Sequence, residues 1–113
     1  MTKEHVLVDP ERMQDSADEA SQFLRSVANR DRLLLLCQLT RGELGVSDLE
    51  SLTGIRQPSL SQQLGVLRRQ GLIQPRREGK QVHYRIHDAR ALALLNKLYE
   101  LFCEQGAKSE PAT

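Results

Sequence analysis

The sequence predicts a mainly α fold carrying one small β-hairpin, and three observations lead there. Apolar residues recur at three- and four-residue steps across most of positions 12–70 and again after Asp88. Between Ile73 and Ile86 the period drops to two. Helix-start and helix-stop residues punctuate the joins, among them Ser47, Pro58, Gly42 and Gly71. A chain of 113 residues fits one domain, at a size where a second copy is a plausible source of further burial. At 39% hydrophobic and 27% charged residues, the composition is globular rather than disordered.

Each element follows in order. Residues 12–28 turn Met13, Ala17, Ala20, Leu24 and Val27/Ala28 to one side, an amphipathic helix. A second helix over 30–41 points Leu33, Leu36, Cys37 and Leu39/Thr40 inward and ends at Gly42. Ser47 suits the N-cap of a short third helix, with Glu50 as its capping-box partner. Thr53-Gly54-Ile55 makes a tight turn. A fourth helix spans about 57–70, with Pro58 in its first turn and Leu60, Leu64 and Leu67 as its apolar stripe. Gly71 stops it. Ile73, Pro75 and Arg77 then alternate with polar residues, as do Val82, Tyr84 and Ile86, and Glu78-Gly79-Lys80 is the hairpin turn. Asp88 caps a last helix to about Glu104. That helix is apolar around most of its circumference and must be buried on more than one side, one of them against a second subunit. The expected organisation is a flexible N-terminus over 1–11, one domain over 12–104 and a flexible tail over 105–113.

Charge is unevenly spread. Residues 1–20 carry −4, 21–55 carry 0, 56–85 carry +6 and 86–113 carry −1, which returns the net +1. A +6 block of 30 residues is a candidate polyanion-binding face. The longest apolar run, Leu33–Cys37, is far short of a bilayer span, and no secretory signal is visible, so a cytoplasmic protein without membrane contact is expected. Two cysteines 66 positions apart, with no CxxC or Cys/His tract, do not form a structural zinc motif. Neither a metal nor a cofactor is expected.

Helix, tight turn, helix and hairpin in this order form the winged helix-turn-helix plan, which places the second helix of the pair in the major groove of DNA. The polar face of that helix carries Gln57, Ser59, Ser61, Gln62 and Gln63, whose amides and hydroxyls suit base edges. Arg56, Arg68 and Arg69 lie at its ends, and Arg76, Arg77, Lys80 and Arg85 on the hairpin, where phosphates would pass. His83 and His87 share a strand face with Arg85 and are read as phosphate or solvent contacts rather than metal ligands. Four aromatic residues (Phe23, Tyr84, Tyr99, Phe102) are too few for base stacking on single strands. Double-stranded DNA is the expected partner.

The strings Gly45-Val46-Ser47-Asp48-Leu49, Ser59-Leu60-Ser61-Gln62-Gln63-Leu64-Gly65-Val66-Leu67-Arg68, Gly71-Leu72-Ile73 and Arg76 through Ile86 resemble the ArsR/SmtB family over about residues 15–104. The resemblance implies a homodimeric repressor, paired through its first and last helices, that releases operator DNA when an inducer binds. Gln63 departs from the family, which very often has His there. The family's arsenic-type motif, Cys-Val-Cys-Asp-Leu, is here Gly45-Val46-Ser47-Asp48-Leu49, without either thiolate. Its zinc-type motif, Asp-x-His-x10-His-x2-Glu, is here Asp88, Arg90, Leu101 and Glu104, without either imidazole. Cys37 and Cys103 remain. Their placement on the second and last helices resembles the two-cysteine branch that senses reactive sulfur or oxidants (BigR-, SqrR- and HlyU-like), in which the pair closes a disulfide or polysulfide bridge. That resemblance implies redox sensing by Cys37 and Cys103, with a persulfide or polysulfide as the small inducer. Both cysteines sit near helix C-termini, where the dipole disfavours a thiolate, and Arg41 is placed to offset this at Cys37. Inert core thiols and a two-cysteine site for a soft metal or metalloid are the alternatives. An enzyme is not expected: neither Cys has a His partner in sequence, and there is no Gly-rich phosphate loop. A module that kept the fold without DNA binding would not need the +6 block.

Overall fold

A computed structural model of the chain describes residues 7–104. The tail expected to be flexible, and residues 1–6 of the expected flexible N-terminus, lie outside the described residues. The order of elements is α1 (Pro10–Val27), α2 (Arg30–Leu39), β1 (Leu44–Gly45), α3 (Val46–Thr53), α4 (Ser59–Arg69), β2 (Ile73–Glu78), β3 (Gln81–Ile86) and α5 (Ala89–Tyr99), which runs into a π-helical turn (Glu100–Glu104). The mainly α expectation with a small wing therefore holds, but the sheet has three strands, in the order β1-β3-β2, rather than two. Leu44 and Gly45 pair with Tyr84 and His83 and anchor the hairpin to the helical body. Two residues show no alternation, so this strand leaves no period in the sequence.

Boundaries moved where local hydrogen bonding outweighed pattern. α1 starts at Pro10, two residues ahead of the expected boundary, because the Asp9 carboxylate accepts from Glu11 N (3.0 Å) and proline suits the first turn. α3 is capped by Gly45, not Ser47, and Asp48 rather than Glu50 reaches back, its Oδ2 accepting from Gly45 N (3.3 Å). Pro58 is the N-cap of α4 rather than a first-turn residue. Asp88 caps α5 as expected, accepting from Arg90 N (2.8 Å).

The core is one aliphatic cluster. Leu35, Leu36 and Leu39 of α2, Leu49 of α3, Leu60, Leu64 and Leu67 of α4, Leu72 and Ile73 at the start of the hairpin, and Ala91 and Leu95 of α5 are all buried. Burial of leucines of this size is worth roughly 2 kcal/mol each relative to exposure. α1 contributes only Ser26 and Val27 to the buried set. Met13 and Leu24 of α1 are exposed, as are Leu92, Tyr99, Leu101 and Phe102 of α5 and its π-helical turn. The inward positions expected for α1 are thus mostly open in the single chain. Arg90 joins the first and last helices: it pairs with Glu19 (3.2 Å) and stacks 5.0 Å from the Phe23 ring centroid. The molecule is a thin slab of 49 × 44 × 21 Å.

Candidate nucleic-acid interface and thiol pair

The turn between α3 and α4 is fixed by short-range bonds. Gly54 has φ +76°, where a side chain would strain the backbone, and its N–H donates to Glu50 O (2.9 Å). Thr53 Oγ1 donates to Leu49 O (2.6 Å) and accepts from Ile55 N (3.2 Å), which lets Ile55 turn into the core. α4 then leaves the turn with Leu60, Leu64 and Leu67 buried, as the stripe requires. The opposite face is open: Arg56, Gln57, Ser61, Gln62, Arg68 and Arg69 are exposed, and Ser59 is half-buried.

Two of the expected base readers have other work. Gln57 folds back over the start of α4, its Oε1 accepting from Ser61 N (3.0 Å). Gln63 is half-buried, and its Oε1 accepts from Arg32 Nη1 (2.8 Å). Ser61 and Gln62 keep their side chains free of such bonds to described residues. Arg69 folds toward Gly65, where a Cβ would lie 3.1 Å from its Nη1.

The hairpin pairs in full register, Ile73 opposite Ile86 through Glu78 opposite Gln81, and Gly79 takes φ +63° in the two-residue turn. Facing pairs divide its cations. Arg76 and Arg85 share one face with His83, while Arg77 lies opposite Val82 on the other. Arg76 is not free. Its guanidinium grips the Glu43 carboxylate (Nε 2.9 Å, Nη2 2.7 Å) and reaches Glu78 (3.3 Å). The Arg76 hydrogen bonds hold the Glu43 carboxyl below its ordinary range, and Glu43 in turn raises the Arg76 pKa. Arg85 donates to Gln74 Oε1 (2.7 Å). His83 is half-buried against Gly45, with Nε2 3.4 Å from Glu78 Oε1. His87 is exposed. Among the described residues, Arg56, Arg68, Arg69, Arg77 and Lys80 form no ion pair. Five cations thus surround the Ser61–Gln62 surface and the hairpin without an internal counter-charge.

Sequence reasoning missed Arg32 and Glu43. Each acts on a residue more than 30 positions away, and no local pattern encodes such a contact.

Both cysteines are free and exposed. Cys37 was expected to face inward on α2, but Leu35, Leu36 and Leu39 occupy that side and the thiol lies on the other. Cys103 sits in the π-helical turn that continues α5, and α5 packs against α2. Exposure removes the reading of two inert core thiols in the single chain. Among the described residues, no group of three or more His, Cys, Asp or Glu side chains is placed to hold a metal ion. No helix among them is long and apolar enough to cross a membrane.

Comparison with known proteins places this geometry. Residues 29–74 match the family model described as bacterial regulatory protein, arsR family. The biofilm growth-associated repressor of Xylella fastidiosa is 46% identical over 95 residues, covering 84% of this chain and 83% of the relative. The transcriptional activator HlyU of Vibrio cholerae is 36% identical over 92 residues, covering 81% and 85%. The crystal structure of the repressor BigR from Xylella fastidiosa superposes with a TM-score of 0.82 at 45% identity, covering 85% of this chain and 98% of that one.

Proposed function

The chain belongs to the ArsR family of bacterial regulatory proteins, and from that premise we propose that it is a homodimeric transcriptional repressor that binds double-stranded operator DNA and is switched by modification of Cys37 and Cys103. The observation that carries DNA binding is the coincidence of an open Ser61–Gln62 helix face with five cations that pair with no acid among the described residues. Ser61 and Gln62 read bases; Arg56, Arg68, Arg69, Arg77 and Lys80 hold phosphates. The exposed apolar residues of α1 and α5 support pairing of two copies.

Two free, exposed thiols, one on α2 and one on the turn that continues the α5 helix packed against it, support the switch. One thiolate attacks a sulfane sulfur of inorganic polysulfide, forming a persulfide and expelling a polysulfide shorter by one sulfur. The second thiolate then attacks the inner sulfur of that persulfide and expels hydrosulfide, which leaves a Cys37–Cys103 disulfide. The two thiols lose two electrons, and the transferred sulfane sulfur leaves as hydrosulfide. A bridge closing about 67 residues stabilises the bridged fold against its unfolded chain by roughly 4 kcal/mol in the chain-entropy model.

Fluorescence anisotropy on the duplex upstream of the protein's own gene tests the proposal. Reduced protein should bind, polysulfide should abolish binding, and re-reduction should restore it. Cys37→Ser and Cys103→Ser should each bind like reduced protein and ignore polysulfide. Tight binding indifferent to polysulfide would remove the sulfur switch and leave the repressor. Gln62→Ala should weaken binding to the operator by about tenfold while leaving random duplex unchanged. An equal loss on both would contradict its reading role.

A further inference from the structure

We infer that Arg32 is a positioning residue that staples α1 to the DNA-reading helix through Gln63, so that Gln63 holds α4 in place instead of reading a base. The inference rests on the DNA-binding reading above. Arg32 stands in the first turn of α2, and its side chain is half-buried between three elements. Its guanidinium is divided among three acceptors. Nε donates to Ser26 O (2.8 Å), Nη2 to Arg25 O (3.2 Å) and Nη1 to Gln63 Oε1 (2.8 Å).

Each partner gives this geometry meaning. Ser26 and Arg25 belong to the last turn of α1, whose final carbonyls have no partner within the helix and carry its partial negative charge. A guanidinium there satisfies two of those carbonyls and complements the dipole at once. The third bond spans 31 residues and ends on the middle of α4, between the exposed Gln62 and the buried Leu64. The fork geometry of arginine allows this division; lysine, with one nitrogen on a flexible stem, cannot make the same three directed bonds.

α1 has little else to fix it against α4, since it buries only Ser26 and Val27, both at the end that Arg32 grips. The staple therefore sits where the outer helix meets the reading helix. A change in the set of α1, in a dimer paired through it, reaches α4 through Arg32. Gln63 is half-buried with Oε1 accepting from Arg32, a hold that ties the amide inward instead of leaving it free to align its donor and acceptor on one adenine.

The test is a double-mutant cycle of Arg32→Met and Gln63→Met, read on a duplex selected by the wild-type protein from a random-sequence pool. Each single variant should lose about tenfold in affinity, and the double variant should lose no more than Arg32→Met alone. The base preference at every position should stay that of the wild type. Amide exchange over Ser59–Arg69 should quicken in both single variants while the rest of the core keeps its protection. Independent, additive losses would overturn the staple, as would a changed preference at one base pair after Gln63→Met. If Arg32→Met does not fold, Gln63→Met alone decides. Weaker binding with unaltered preference supports the staple, and unaltered affinity overturns it. A wild-type protein that selects no duplex overturns the DNA-binding reading itself, and the inference with it; additivity against a well-bound duplex overturns the staple only.

Discussion

Asp88 shows how much one side chain can settle. It caps α5 through Arg90 N, takes a second set of bonds from the Arg90 guanidinium (Nη2 to Oδ2, 2.8 Å), and is only 14% exposed. The Arg90 bonds hold its carboxyl below the usual range. A depressed folded-state pKa contributes stability that is complete above the ordinary Asp value of about 3.9 and is lost as pH falls through the lower folded value. Asp88→Ala should therefore lower stability by about 1 kcal/mol at pH 7. The gap to wild type should narrow below pH 4, which paired thermal melts at pH 7 and pH 3 would check. The role of Asp88 as a cap was legible because its backbone partner is two residues away. Arg32 was not, because its partners lie 6, 7 and 31 residues off and only the folded chain brings them together.

Among the elements, α4 was the most legible and β1 the least. Leu60, Leu64 and Leu67 fixed both the existence and the rotation of α4, since a 3.6-residue period allows one inward face. The hairpin's pairing was equally plain from alternation and Gly79. What the cations of the wing do was not, because a residue's charge is written in the sequence and its counter-charge is not. Arg76 looked like a phosphate contact and is bound to Glu43, on the loop between α2 and β1. Removing that carboxylate should release a cation to the DNA side. Glu43→Gln should thus tighten binding to random duplex and steepen its salt dependence by up to about one unit of slope. Titrations at several salt concentrations would show it; an unchanged slope would mean that Arg76 stays out of reach of phosphate.

As a whole, the molecule measures 49 × 44 × 21 Å, broad and thin. Its shape fits half of an assembly better than a finished globule. The apolar side chains left outside by α1 and α5 point the same way, among them Phe102 at 76% exposed. Leu24→Asp together with Phe102→Asp should convert a dimer to a monomer in sedimentation equilibrium and abolish tight operator binding, while helical circular dichroism persists. A dimer untouched by both changes would place the interface elsewhere. The apolar last helix is what makes a second copy the expected cover for these side chains, though the sequence carries no trace of the slab itself, which comes from how the helices cross. A plate 21 Å thick is about two helix diameters deep. Resistance to bending rises with the cube of thickness, so such a plate yields out of its plane long before it yields within it. In the proposed dimer, two such plates clamped along one edge would flex most easily by flapping of their free edges, and that motion would set the span between the two α4 helices. In the dimer we propose, strain near the clamp, such as that of the proposed sulfur–sulfur bond, would act on that span.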